Sequence, residues 1–198
     1  TEKFSPVHRT LNDDVFRIGF VGRLRAEKSV RLLADLEREL IARGKSNFKF
    51  LIIGEGSERK FLEENMHHAE LPGFLDGDEL SRAYANMDLF VFPSKTDAFG
   101  NVTQEAFASG VPSIVTNVGG PKFLVEPGKT GFIAKDLAEF VEYTVRLMDD
   151  PEELSRMKKA ARGNAMEKSW DAVFESVYAG YWTAYDLRDR RYQGNDSV

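Results

Sequence analysis

No cysteine occurs in the 198 residues. That absence excludes a disulfide framework, a thiolate metal site and a cysteine nucleophile, and it fits a reducing compartment without requiring one. Histidine is nearly as scarce: His8, His67 and His68 have no companion carboxylates at metal-ligand spacing and read as surface residues. No apolar run approaches the ~18 residues of a membrane span. Basic charge is not in excess either. Lys and Arg number 27 against 32 Asp and Glu, a formal net charge of −5, and they are scattered, so no nucleic acid and no anionic membrane surface is expected as a partner. The start, Thr1-Glu2-Lys3, is neither an initiator Met nor a signal peptide, and the expectation is a cut from a longer chain.

What is present is an ordinary globular composition, 42% hydrophobic and 30% charged, with 15 Phe, 6 Tyr and 2 Trp to fill a core. At ~150 residues per domain, the length suits one large domain or one domain with an appendage. Four short runs, Phe16–Val21, Phe48–Ile53, Leu89–Phe92 and Ser113–Thr116, are β-branched or aromatic and bounded by Gly, Pro or Ser. Nearly continuous apolar runs mark strands buried on both faces of a parallel sheet. A shorter strand or turn is expected around Gly73 in 71–75 and another at Phe132-Ile133.

Between the runs the apolar period becomes helical. Val30, Leu33, Leu36, Leu40 and Ile41 recur every three to four positions before a stop at Gly44, and weaker helices are expected at 57–68, 78–86 and 101–109. Beyond residue 134 only helices are expected. One starts at Asp150-Pro151-Glu152-Glu153, with Asp as N-cap and Pro in the first turn, and a last one starts at Ser169, carrying Trp170, Phe174, Tyr178, Trp182 and Tyr185. The fold class is therefore α/β, a Rossmann-like open parallel sheet with helices on both faces and a C-terminal helical cover. Residues 1–15 are expected to be a loose segment, 16–168 the domain, and 169–198 a C-terminal helix and tail.

Two short motifs are incomplete. Gly54-Glu55-Gly56 begins like a dinucleotide fingerprint but has Arg59 where a Gly is required, and Gly128-Lys129-Thr130 ends like a phosphate loop but has Phe123 at the first Gly position. The second reads as a turn before Phe132-Ile133.

Two longer segments carry more. In Val21-Gly22-Arg23-Leu24…Glu27-Lys28, a strand ends in a loop at the sheet's carboxyl edge, where ligands bind in open α/β sheets. Gly22 permits close backbone approach, and Arg23 and Lys28 are cations suited to phosphate, although they read equally as solvated residues beside a helix start. The second segment runs from Pro93 through Asp97, Phe99, Gly100 and Glu105 to Pro112. A helix beginning near Gly100 leaves the amides of Phe99, Gly100, Asn101 and Val102 free to meet an anion. Asp97 in the loop and Glu105 on the second turn can face one cleft and accept hydroxyls; alone they read as a helix cap and a solvated acid.

Together these segments resemble the nucleotide-sugar-binding C-terminal domain of family 4 glycosyltransferases, which have the GT-B fold of two facing Rossmann-like domains. The resemblance runs on through Ile53-Gly54-Glu55-Gly56, Gly73-Phe74-Leu75, Ala108-Ser109-Gly110-Val111-Pro112, Gly119-Gly120 and Thr130-Gly131, covering about residues 16–185. It implies that Gly22, Arg23 and Lys28 hold the donor diphosphate and that Leu75 presents backbone to the base. Asp97 would meet the donor sugar's hydroxyls, the amides of 99–102 would face sugar and phosphates, and Glu105 would hold the ribose. Arg23, Lys28 and Asp97 would be the residues at the reaction itself. Asp97 departs from the family, which usually has the first Glu of its Glu-seven-Glu motif there, one methylene longer. To Gly119-Gly120 only backbone packing is assigned.

The resemblance further implies a retaining, metal-independent transferase with no cofactor, taking a UDP-, GDP- or ADP-sugar as donor. The acceptor (a glycan, lipid or small molecule) would be bound mainly by a preceding N-terminal domain, and without that domain the chain would be inactive or nearly so. It implies a cytoplasmic enzyme, with the inner membrane face open as a peripheral location for the full-length protein. The aromatic last helix is expected to favour self-association. Two other readings stay open: a nucleotide-sugar-binding module without transferase role, and a related GT-B nucleotide-sugar epimerase.

Overall fold

Apolar runs with polar residues only at their margins can be buried on both faces inside a covered parallel sheet, and they are used that way. In the computed structural model, which describes residues 2–167, β1 (Phe16–Val21), β2 (Phe48–Ile53), β3 (Ala69–Gly73), β4 (Leu89–Phe92), β5 (Ser113–Thr116) and β6 (Gly131–Ala134) form one sheet. Its order is β3-β2-β1-β4-β5-β6, and every neighbouring pair is parallel. β1, β2, β4 and β5 lie at the expected residues, and all of β4 and β5 is buried. β3 lies ahead of its expected place because His68 already offers its carbonyl to the Phe50 N–H and the chain turns off at Gly73, whose φ is 88°. Pro72, with no N–H to give, is tolerated because β3 is at the sheet's edge.

The helices are α1 (Arg31–Ala42), α2 (Arg59–Asn65), α3 (Gly77–Ala85), α4 (Asn101–Ala108), α5 (Leu137–Asp149) and α6 (Pro151–Glu167). α1 packs against α2 and α5, and α3 against α4, so both faces of the sheet are covered. Leu33, Leu36 and Leu40 are the fully buried stripe of α1 that its apolar period foretells. α2 is shorter than expected. Beyond it, the amides of His67 and His68 donate to buried Glu37 of α1 at 2.8 and 2.9 Å and lead the chain into β3. His68 is accordingly no bare surface residue: its ring stacks on Phe48 with centroids 5.0 Å apart.

The structure adds α5 ahead of the start at Asp150. Asp136 caps α5 by accepting the Glu139 N–H at 3.0 Å, and Asp150 caps α6 by accepting that of Glu153 at 2.8 Å. Arg146 of α5 grips buried Glu153 of α6 through two bonds of 2.7 Å, a bidentate pair that joins the helices. The expected last helix from Ser169, and self-association through it, lie outside the described residues.

Several residues of the segment before β1 are bonded to the rest of the domain. The last carbonyls of α3 lack intrahelical donors. Arg9 supplies one to Ala85 at 3.4 Å and another to Met87, just beyond the helix, at 3.3 Å, while pairing with Asp88 at 3.1 Å. Asn86 Oδ1 in turn accepts the amides of Thr10 and Leu11 at 2.9 and 3.0 Å, and Phe4 sets its ring edge-on to Tyr84.

Candidate functional site

The strand order reverses between β1 and β4. In an open α/β sheet the crevice outside the carboxyl ends at such a reversal is where ligands bind. The two loops singled out in the sequence leave these two strands. The loop after β1 lies against the one after β2: the Gly22 N–H donates to Ile53 O at 3.0 Å and that of Leu24 to Glu55 O at 2.9 Å. A Cβ on Gly54 would sit 2.0 Å from Gly22 O, so this incomplete fingerprint serves close packing of two loops. On the other side, a Cβ on Gly120 would lie 1.8 Å from Ala98 O, and the Gly120 N–H donates to Asp97 O at 2.8 Å. Gly119-Gly120 thus backs the loop after β4.

Lys28 closes the crevice. It ends a single 3₁₀ turn, Ala26–Lys28, completed by Ser29 in the left-handed region at φ 54°. From there its Nζ donates to both Oδ1 and Oδ2 of Asp97 at 2.7 Å each, although only 9% of Lys28 is exposed. Thr96 Oγ1 donates to Glu27 O at 3.4 Å and reinforces the junction. Two residues beyond Asp97 begin the amides of Phe99, Gly100, Asn101 and Val102, and no acceptor among the described residues takes them. Gly100, at φ 91°, is the N-cap of α4. Unpaired amides at a helix start carry partial positive charge. The Lys28–Asp97 pair thus joins the loop after β1 to the loop after β4, just ahead of these amides.

The remaining candidates divide. Arg23 lies on the same loop but stays exposed, 3.8 Å from Glu27, outside the Lys28–Asp97 pair. Phe99 and Asn101 are exposed, whereas Val102 and Leu75 are partly buried against the core. Glu105 is not the solvated acid of the simpler reading. It is partly buried and accepts a hydrogen bond from the Tyr84 hydroxyl of α3 at 2.9 Å. Burial pushes its carboxyl above the usual range, opposed by that bond and by the charge of Lys3. Burial, with Glu105 beside it, likewise drives the Tyr84 hydroxyl well above the ordinary tyrosine value. Tyr84 is the site residue that the sequence analysis missed; the only available signal was a tyrosine on the apolar face of α3, which needs a partner when buried. Among the described residues, no group of three His, Asp or Glu side chains is gathered as a metal site, and no helix is long and apolar enough to cross a membrane.

Residues 2–164 match the family model described as glycosyl transferases group 1. The chain belongs to this family. Within it, the GDP-mannose-dependent alpha-mannosyltransferase of Corynebacterium glutamicum is 37% identical over 175 residues, 87% of this chain and 41% of the relative. The chain thus spans less than half the length of that curated relative. The crystal structure of Anabaena HepE in complex with UDP and glucose has a TM-score of 0.73 at 20% identity, over 91% of this chain and 55% of that one. The C-terminal domain of LpcC, a group 1 glycosyl transferase from Francisella tularensis, has a TM-score of 0.66 at 21% identity, over 77% of this chain and 85% of that one. At those identities the two structures speak for the fold, a Rossmann-like α/β unit.

Proposed function

We propose that this chain is the donor-binding half of a retaining, family 4 glycosyltransferase that transfers a sugar from a nucleoside diphosphate sugar to an acceptor hydroxyl. One observation supports the reading: a nearly buried lysine reaches Asp97 across the strand-order reversal, two residues ahead of four unpaired helix-start amides. Breaking the bond from the anomeric carbon to the phosphate oxygen leaves a nucleoside diphosphate, and its growing negative charge is what needs stabilising. Lys28 and the amides of 99–102 would do so from fixed positions, with Arg23 as an outer cation. Preorganised donors of this kind are often worth ~3 kcal/mol each. Asp97 would accept hydroxyls of the donor sugar and Glu105, propped by Tyr84, those of the ribose. No metal or cofactor enters this scheme.

Retention rests on the family resemblance. The acceptor oxygen would attack on the face from which the phosphate leaves, and its proton would pass to the departing phosphate oxygen. The acceptor would be held by a preceding domain, so this chain alone would transfer little sugar. The printed activity of the Corynebacterium relative makes GDP-mannose the first donor to try. Calorimetric titration of the chain with GDP-, UDP- and ADP-sugars, with and without magnesium, tests the proposal. One nucleotide class should bind, without need of the metal. Lys28→Ala should weaken it at least tenfold, about 1.4 kcal/mol, with the fold intact by circular dichroism. Absence of binding by every nucleotide would refute the reading.

A further inference from the structure

We propose that the Lys28–Asp97 pair is a donor-sensing latch: Asp97 holds Lys28 until a nucleoside diphosphate that still carries its sugar engages both partners. Asp97 thereby ranks the sugar-bearing donor above the bare nucleoside diphosphate. This rests on the donor-site reading and adds a competition within that site.

The geometry supplies the reason. An ammonium has three N–H donors, and Lys28 directs bonds at both Asp97 oxygens at 2.7 Å. With Lys28 only 9% exposed, water screens this pair less than an open surface pair. The cation best placed for a diphosphate is therefore already neutralised. Asp97 itself is only two residues from Phe99, the first of the unpaired amides. A diphosphate on those amides draws Lys28 towards itself, strips Asp97 of its counter-charge and sets two anions side by side. Like charges at close range repel unless new partners compensate. Sugar hydroxyls can donate to Asp97 and supply that compensation. A bare nucleoside diphosphate has no such hydroxyl to spare, because its ribose hydroxyls are the ones assigned to Glu105. Among the described residues no other side chain is bonded to Asp97, so the ligand is the remaining source of donors. Arg23 offers no substitute, being exposed and beside Glu27 at 3.8 Å.

The test compares wild type with Asp97→Asn, which keeps shape and removes charge, in calorimetric titrations with GDP and GDP-mannose, UDP and UDP-glucose, and ADP and ADP-glucose. Wild type should prefer the sugar-bearing member of whichever pair binds. In Asp97→Asn the bare diphosphate should bind at least threefold tighter and the sugar-bearing ligand at least threefold weaker, shrinking the preference about tenfold. Asp97→Ala should move both in the same directions, with melting curves confirming that each variant folds. Parallel weakening of both ligands would mean that Asp97 merely props Lys28, and would overturn the latch; so would two unchanged affinities. Failure of wild type to bind any of the six would instead sink the donor-site reading, and the latch with it.

Discussion

The two edges of the sheet use the same ionic chemistry to opposite ends. At the amino edge, Asp88 is buried and fully engaged: it accepts the Arg17 amide at 2.9 Å and pairs with Lys158 at 2.6 Å and Arg9 at 3.1 Å. It ties the N-terminal segment, β1, β4 and α6 into one unit. At the carboxyl edge, among the described residues, Asp97 has a single cationic partner and the amides beside it have no acceptor. A saturated network rigidifies, whereas an unsaturated one leaves capacity for a ligand. The location of an aspartate in the βα frame, more than its residue type, decides which role it takes.

Breaking each edge in turn should show the difference. The largest effect is expected at the amino edge. Asp88→Ala leaves two cations without their counter-charge and should cost about 3–5 kcal/mol in urea unfolding, with nucleotide affinity of the folded fraction unchanged. An equal loss of affinity would mean that the edges are coupled. Next is Gly120→Ala. Its Cβ would lie 1.8 Å from the Ala98 carbonyl oxygen, so the loop after β4 must shift. Stability should fall by about 1–3 kcal/mol while nucleotide binding falls more than tenfold, the reverse weighting of Asp88→Ala.

The smallest effect sharpens the picture of Glu105. Burial raises its carboxyl pKa in the folded chain, so the folded state holds the proton more tightly than the unfolded state, and ionisation costs stability. That cost is absent below the unfolded value of about 4.3 and complete once pH has risen past the folded value. Glu105→Gln keeps an oxygen for Tyr84, so it should melt slightly above wild type at pH 7, with the gap closing as pH falls to about 4. Its nucleotide affinity should nevertheless drop about tenfold, as for a lost charged hydrogen bond to a hydroxyl. A melting gap that widens towards acid would reverse the assignment.

Much of the frame was legible in the chain because its signals are local. The β1, β2, β4 and β5 runs and the Asp150 cap depend on neighbouring residues alone. The bonds of the N-terminal segment were not legible, because polar residues such as Arg9 and Thr10 carry no local mark of the Ala85 carbonyl and of Asn86, each 76 positions away, that they meet. In the candidate site, Gly22, Lys28, Asp97 and the 99–102 amides were candidates through the family resemblance, since by type alone they read equally well as solvated residues and a helix cap. That Lys28 would be held by Asp97 rather than left open, and that Glu105 would be tied to Tyr84, was not legible.

Periodicity, breakers and caps, all short-range properties, sufficed to make this sequence an alternating α/β chain. Which strands lie together, and therefore that loops 69 positions apart share a salt bridge, was decided by the sheet's order. That order depends on burying whole faces at once, a many-body balance of packing that no single stretch of chain carries.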